Sequence, residues 1–515
     1  MQLSYFKQVQ LFKSSLRTVA AFLLRSRETQ SQRAEDKSHE IATLRETVAQ
    51  QAQTIARTQQ QLADVRLSVT QLKLENERLH RRPVELPPDP QLPHHEFGPR
   101  MISLSINLAR TLGLRPTVTC LKIMFAWLEV TARIPDWTTI RVWLMRAGVA
   151  ALEESVEPAD DWIWMADHSN QIGTEKALAI VGLRAANLPP PGVALTHQDI
   201  RLLHLEPGMN WKRENMAQVY EALAKRIGHP LALIVDGAIE LRDGGKVLQN
   251  KGKTTLVLND FKHFAANVMK QVIGQSPRYA AFMGEVGTTR SAIQQTELGH
   301  LTPPALRPKA RFMNLAATLK WGAMVLWQVG HPHSPSRSKI TADRLTTKLG
   351  WLRGYRAELT EWNACQRVVS AALTFINEQA LSLGAADRLA AELQLLATGE
   401  ASRTVCQQLV EFVRQSEAKL SVGQRLPLST EILESTFGLF KQLERQHSKG
   451  GFTSLLAAFG ALLKPATPAS IRRDFGRVSV KQMRTWVTTN LQTTLASQRH
   501  TAYAEFKAAT ALNAA

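Results

Sequence analysis

The chain has 515 residues, 44% of them hydrophobic, and its 63 Lys and Arg against 44 Asp and Glu give a formal net charge of +19. That length predicts several domains, and the apolar content excludes a globally disordered chain. The positive surplus favours an anionic partner, nucleic acid before a membrane surface. No apolar run reaches the roughly 18 residues of a spanning helix. Three scattered cysteines exclude a disulfide framework and indicate a reducing, cytoplasmic setting.

Two helical segments are predicted at the N-terminal end. Residues 1–33 are basic, and both a solvated amphipathic helix and a DNA-contacting arm fit them. Residues 34–80 carry a heptad repeat that predicts a coiled coil between chains, with a helix folded back on its own chain as the alternative. The apolar seam positions are Ile41, Leu44, Val48, Ile55, Leu62, Val65, Val69, Leu72 and Leu79, and the polar Gln51 and Thr58 weaken the middle of the seam. Asn76, at a core position, would pair with itself in a parallel dimer and fix the register.

A stiff proline-rich linker is predicted over residues 81–98 and a helical region over residues 99–156. The helices are expected at 102–112, 117–132 and 137–147, with Thr138 and Thr139 as possible caps of the third. The third helix follows a tight turn and carries Arg141 and Arg146. This arrangement resembles a DNA-binding helix-turn-helix, and a plain three-helix bundle would give the same sequence pattern.

A mixed α/β sheet is predicted within residues 157–273. Apolar strands are expected at 162–166, 177–183, 231–235 and 254–258, with a turn at Gly173 and helices at 211–228 and up to 273. Residues 274–428 are mostly helical without comparable strands. A firm helix at 431–447 lies within the segment 429–465, and residues 466–515 read as a helical tail.

Asp167 and Asp236 each end an apolar strand. Each alone reads as a turn or cap residue. Together, in a basic chain, they predict oxygen ligands for two Mg²⁺ ions about 4 Å apart, with Mn²⁺ able to substitute. Glu434 is the preferred third acid, with Glu431 as the alternative because an acid is favoured in the first turn of any helix. Lys441, on the same helix face, would contact a phosphate or form an exposed ion pair.

These segments resemble the DDE transposases of bacterial insertion sequences. The matching pieces are WMADHSNQIG with Asp167, LALIVDGAIEL with Asp236, QQTELGHLTPPALRPKARFMNL, and EILESTFGLFKQLERQHSKGGF with Glu434. The resemblance implies an α/β (α+β) fold, an RNase H-like mixed-sheet core with a large all-helical insertion at 274–428. A helical DNA-binding region and an N-terminal coiled coil would precede this core.

Finer motifs extend the resemblance. Glu434 and Lys441 match the E-x6-K half of the Y-R-E-K signature, whose Tyr and Arg are absent here. Asp260-x-x-His263 resembles the C-x-x-H element of hAT-type transposases, with Asp in place of Cys. His263 would then lie near the scissile phosphate, the alternative being a buried helix histidine. The insertion has four tryptophans, one of which could stack on a base near basic residues, although most are expected in the core. The tryptophans are Trp321, Trp327, Trp351 and Trp362, and the basic residues are Arg337, Lys339, Arg344, Lys348, Arg353 and Arg356.

The resemblance predicts a DNA transposase of the bacterial cytoplasm, associated with the nucleoid and not with membrane. It would cleave double-stranded DNA at element ends by metal-assisted hydrolysis. It would then join the 3′-hydroxyls to target DNA, acting as a homodimer or higher oligomer through the coiled coil. Two alternatives are a metal-dependent nuclease of the same core that never joins strands, and an inactive coiled-coil DNA-binding regulator.

Overall fold

The structure, a computed structural model, describes residues 16–80, 88–172, 174–249, 255–305, 312, 315–331, 342–445 and 451–513. It divides into two compact units, Met1–Pro87 and Pro88–Ala515. Several predicted features lie outside the described residues: the first 15 residues, the turn at Gly173, and the insertion residues Arg337 and Lys339. Among the described helices, none is both long enough and apolar enough to cross a bilayer.

The described residues of the first unit form one helix, α1, which spans Leu16–His80 without a break at the predicted boundary near residue 33. The apolar side chains of the heptad repeat are exposed along its length; Ile41 is 50% and Leu62 51% accessible. The structure therefore leaves the predicted seam uncovered in a single chain. Whether it pairs with another chain stays a prediction.

The second unit begins with three helices, α2 (Pro99–Leu112), α3 (Leu114–Trp127) and α4 (Trp137–Leu152). Gly113, at φ 86°, separates the first two, as its lack of a side chain allows. The cap of α4 is Asp136, whose carboxylate accepts a hydrogen bond from the Thr138 amide at 2.9 Å. The expected threonine caps are therefore corrected: the acceptor that satisfies the free amide precedes them.

Arg146 of α4 is only 6% exposed. Its guanidinium donates to the carbonyls of Val478 and Phe475 and lies over the Phe475 ring. These contacts attach α4 to the C-terminal helices. The expectation that Arg146 contacts DNA is therefore replaced by a structural role, because its donors are used inside the protein.

A five-stranded sheet follows, in the order β3-β2-β1-β4-β5. Its strands are β1 (Trp162–Ile172), β2 (Glu175–Arg184), β3 (Arg201–Met209), β4 (Ala232–Val235) and β5 (Leu256–Asn259). β1 is antiparallel to β2 and parallel to β4, and β4 is parallel to β5. Four strands were predicted, and β3 was not. Its sequence includes Pro207 and Gly208, which are unfavourable in strands, and it pairs only along one edge, with β2.

Helices cover both faces of the sheet. On one face, Trp164 and Ala166 of β1 pack with Tyr220 of α5 (Arg213–Ile227). On the other face, Ile163 and Met165 belong to the larger core. Because strand side chains alternate between faces, Asp167 lies on the same side as Met165. Helix α6 (Ile239–Gly245) follows β4, and α7 (Phe261–Val272) follows β5.

Within 274–428, the residues that the structure describes form helices and one two-stranded pair, β6 (Leu381–Ser382) with β7 (Arg425–Leu426). The helices are α8 (Pro277–Ile293), α9 (Leu315–Gly330), α10 (Ala342–Leu349), α11 (Arg356–Gln379), α12 (Ala385–Gln394) and α13 (Glu400–Glu417). The chain then continues through α14 (Glu431–Arg445), α15 (Pro468–Arg477), α16 (Val480–Leu491) and α17 (Leu495–Asn513).

A 3₁₀ helix at Ser454–Leu462 packs against α14. Its Phe459 ring lies 5.2 Å from Phe437 and 5.9 Å from Phe440 of α14. On its other side it crosses α4 so closely that a Cβ on Gly148 would lie 2.1 Å from a carbonyl oxygen of Ala457. This close crossing requires glycine, and it holds α14 against the sheet.

Candidate carboxylate centre

Asp167 and Asp236 are brought side by side by the parallel pairing of β1 and β4. Ala166 is opposite Val235 in the register, so the next residue on each strand is an aspartate. Asp167 is 6% exposed, and its Oδ1 accepts the His168 amide at 2.6 Å. Asp236 Oδ1 accepts the Ala238 amide at 2.8 Å. Each carboxylate thus accepts one local backbone hydrogen bond, which is too little to compensate fully for the burial of Asp167 beside a second acid.

Glu434 enters this site from α14. The helix forms because Leu433, Phe437 and Phe440 recur at helical spacing and are all buried against the core. Glu434 follows the first of these, and its side chain is 23% exposed. Glu431, one turn earlier, is 42% exposed.

The charges of two other acids act on Asp167. Burial raises the pKa of Asp167 well above its usual range, and the charges of Asp236 and Glu434 raise it further. A carboxyl group is affected in this way only by carboxylates that are near it in a poorly hydrated site. The pairing of β1 with β4 thus sets Asp167 beside Asp236, and the completion of a shared site by Glu434 stays a prediction.

Lys262 of α7 connects the two glutamates. Its Nζ donates to Glu431 Oε1 and to Glu434 Oε2, each at 2.9 Å. Burial lowers the pKa of Lys262, but these two hydrogen bonds outweigh that effect and raise it. The ammonium is thus charged and offsets part of the negative charge of the site.

His263 lies beside the same acid. Its Nδ1 is 3.2 Å from Asp260 Oδ1 and 3.5 Å from Glu434 Oε1. Burial lowers the pKa of His263, yet the hydrogen bond to Asp260 and the neighbouring carboxylates raise it to about 9. The ring is therefore an imidazolium at neutral pH, and its N–H groups could donate hydrogen bonds to a phosphate oxygen.

Asp260 joins the start of α7 to the start of α14. Its Oδ1 accepts the His263 amide at 2.6 Å and so caps α7. Its Oδ2 accepts the Thr430 hydroxyl at 2.8 Å and also the Thr430 amide. Burial raises the pKa of Asp260, but the hydrogen bonds and charge of His263, together with the Thr430 amide, lower it overall. A buried carboxylate thus fixes the helix that carries Glu434.

The donor chemistry of the site suits a hard divalent cation, which prefers carboxylate oxygens. Glu434 Oε1 is buried and accepts no hydrogen bond from the described residues, and its charge is paired with the His263 ring. As the side chains stand, no group of three or more His, Cys, Asp or Glu in the described part of the chain could hold a metal ion. Lys262 and His263 provide the positive charge next to Glu434 instead.

The other predicted contact residues are dispersed. Lys441 is exposed on α14, and Arg353 and Arg356 are exposed in the helical region. Arg141 donates to the Ser454 hydroxyl at 2.6 Å, which attaches α4 to the 3₁₀ helix. Arg353 donates to the Val329 carbonyl at 3.0 Å.

The four tryptophans of the helical region differ in exposure. Trp321 and Trp362 are each 5% exposed and belong to the core, and Trp351 packs against it. Trp327 is 55% exposed and stacks on His331 with ring centroids 4.8 Å apart. Of the four, Trp327 alone is placed to meet a partner.

Lys262 and Asn377 are site residues that the sequence analysis missed. Asn377, near the end of α11, donates its side-chain amide to Glu431 Oε2 at 2.9 Å. No local pattern identifies either residue, because each acquires its partner only when α14 packs beside α7 and α11. Asp260 was noted in the sequence through the Asp260-x-x-His263 motif, but its bond to Thr430 was not predicted.

Comparison with known proteins identifies no family for this chain. The sequence matches no protein-family model, and no curated protein is significantly similar to it. One solved structure, described as a Drosophila P element transposase strand transfer complex, is similar over 83% of this chain and 99% of that chain, at 10% identity and a TM-score of 0.33. A likeness of that size does not establish a shared fold.

Proposed function

We propose that this protein is a DDE transposase with an RNase H-like core, in which Asp167, Asp236 and Glu434 hold two Mg²⁺ ions. The observation that carries the proposal is that Asp167 and Asp236 follow paired positions on adjacent parallel strands, with Glu434 on a helix whose charge acts on Asp167, in a strongly basic chain. The motif segments quoted from the sequence support it.

In this proposal the chain's residues have separate tasks. Asp167 and Asp236 are the rigid ligands, because each is attached to the sheet, and α14 delivers Glu434. When bound, the ions supply a nucleophile of lowered pKa and stabilise the leaving oxygen of an in-line displacement. Lys262 and His263 compensate the carboxylates in the free protein, and the imidazolium of His263 is positioned to donate to a phosphate oxygen.

The surrounding chain would hold the DNA. Phosphates of the element ends and of the target would be contacted by Lys441, Arg353 and Arg356, which are exposed. The exposed seam of α1 would pair two protomers as a parallel coiled coil, so that two DNA ends are held together.

The test uses the full chain and a supercoiled plasmid carrying the DNA that flanks the reading frame on both sides. We expect Mg²⁺-dependent nicking at the flanks and, with pre-cut ends, joining to a second plasmid. Asp236→Asn should abolish both while DNA binding persists. Asp243→Asn, a half-buried acid on α6 outside the site, is the matched control and should remain active. Full cutting by Asp236→Asn would refute the proposal, and cutting without joining would reduce it to a nuclease.

A further inference from the structure

Two cationic side chains of α7 hold Glu434. Its Oε2 accepts a hydrogen bond from Lys262 Nζ at 2.9 Å, and its Oε1 lies 3.5 Å from His263 Nδ1. The contact with Lys262 is not a loose surface pair, since the side chain of Lys262 is only 18% exposed and that of Glu434 only 23%. Each oxygen of the third acid therefore has a positive charge of the protein itself as its neighbour.

The fold holds this contact in place. The buried Asp260 accepts the His263 amide at 2.6 Å and the Thr430 hydroxyl at 2.8 Å, which sets the first turn of α7 beside the first turn of α14. Lys262 is two residues after Asp260, and Glu434 is four residues after Thr430. The ammonium and the carboxylate thus meet because the two helices begin side by side.

Glu431 is the second acceptor of Lys262. Its Oε1 accepts from Lys262 Nζ at 2.9 Å, and its Oε2 accepts from the Asn377 side-chain amide at 2.9 Å. Both oxygens of Glu431 are therefore occupied by protein donors. If Lys262 released Glu434, it would keep its bond to Glu431. The release would cost one hydrogen bond and would not leave an unpaired charge in the site.

We propose that Lys262 is a positioning residue that competes with a divalent cation for Glu434. This inference rests on the proposed function and adds how its third ligand is controlled. An ammonium and a divalent cation bind the same kind of atom, a carboxylate oxygen, so they compete. As the side chains stand, no group of three or more His, Cys, Asp or Glu among the described residues could hold a metal ion. Glu431 retains Lys262 when Glu434 turns to the two aspartates.

The test measures Mn²⁺ binding to the full-length protein without DNA, by the loss of the electron paramagnetic resonance signal of the free ion. Lys262→Met removes the ammonium and keeps an unbranched apolar stem. A hydrogen bond to a charged group changes an equilibrium by about tenfold to a hundredfold, so we expect this variant to bind Mn²⁺ at least about tenfold more tightly than the wild type. Lys262→Arg retains a charged donor and should bind Mn²⁺ as weakly as the wild type.

Two controls separate competition for Glu434 from a general change of charge. Lys270→Met removes the same charge from an exposed position on α7, about two turns beyond Lys262, and should leave the Mn²⁺ affinity unchanged. Glu434→Gln removes the acid for which the two cations compete, so adding Lys262→Met to it should no longer tighten binding. Circular dichroism checks the fold of each variant. If Lys262→Met does not fold, Lys262→Gln takes its place with the same expected gain.

The outcomes distinguish this inference from the proposed function. It is overturned if the folded variant without the ammonium binds Mn²⁺ no more tightly than the wild type, if Lys270→Met shows the same gain, or if the gain persists in the Glu434→Gln background. A gain that depends on Glu434 supports it even if the wild-type protein fails to cut DNA with Mg²⁺, a failure that refutes the proposed function alone. DNA cutting by the wild type, with no gain in Lys262→Met, overturns only the competition.

Discussion

Asp260→Ala should release the start of α14 from α7. The substitution removes a fully buried carboxylate that accepts the His263 amide, the Thr430 amide and the Thr430 hydroxyl. Hydrogen bonds to a charged group contribute about 1.5–3 kcal/mol each, and removing one side of a buried charged network typically costs about 3–5 kcal/mol. We expect a local loss of about 4 kcal/mol, which corresponds to roughly a thousandfold in an opening equilibrium.

Hydrogen exchange measured by mass spectrometry reads this loss locally, which avoids treating a chain of several domains as a two-state system. Peptides covering α14 should lose roughly a thousandfold of their protection. The matched control is Asp136→Ala, which removes the exposed cap of α4, a carboxylate that accepts one backbone hydrogen bond, from the Thr138 amide. Its effect should be much smaller and confined to α4.

The pH dependence gives a second check on the same variant. The pKa of Asp260 is lowered in the folded protein, so its stabilisation is complete above the ordinary carboxyl pKa and is lost as pH falls through the lowered value. Wild-type and Asp260→Ala proteins should therefore converge in acid. Equal protection of α14 in the two proteins at neutral pH would refute the reasoning, because the carboxylate would then not hold the helix.

Three further predictions follow from burial and charge. Asp167→Asn should raise the unfolding temperature at neutral pH without divalent ions. Because the folded protein raises the pKa of Asp167, the ionised carboxylate destabilises the fold once the pH is above the ordinary carboxyl pKa. The difference in unfolding temperature between the variant and the wild type should therefore vanish in acid. A lower unfolding temperature at neutral pH would contradict this. Arg146→Ala should lower the unfolding temperature and leave the salt dependence of DNA binding unchanged, because Arg146 is buried. Arg356→Ala, at an exposed position, should reduce the salt dependence of DNA binding and leave the unfolding temperature unchanged. The reverse pattern would contradict both assignments. Leu62→Lys should dissociate the predicted dimer by placing a charge in the seam, and analytical ultracentrifugation that finds the variant still dimeric would exclude pairing through α1.

The strands that carry the first two acids were predictable because burial on both faces gives near-continuous apolar runs that each end in aspartate. β1, β2, β4 and β5 were found in this way. β3 was not, since its pattern includes Pro207 and Gly208 and its pairing depends on β2. The long α1 was evident from its heptad repeat, and α14 from its buried stripe, because both signals are local.

The sequence alone indicated the apolar runs that Asp167 and Asp236 follow and the helix that carries Glu434, since helical and strand periodicity are local properties of the chain. The expectation that Asp167 ends its strand was wrong, because β1 continues to Ile172 through its pairing with β2. Only the tertiary structure decided what those acids meet. Packing of α7 and α11 against α14 places Lys262 and Asn377 on the glutamates, and the parallel pairing of β1 with β4 sets the two aspartates together. The sequence could not decide the role of Arg146 either, because this basic residue of a predicted recognition helix is buried only when the C-terminal helices pack over it. Contacts between segments far apart in the chain leave no periodic trace, and they are what bring the residues of this site together.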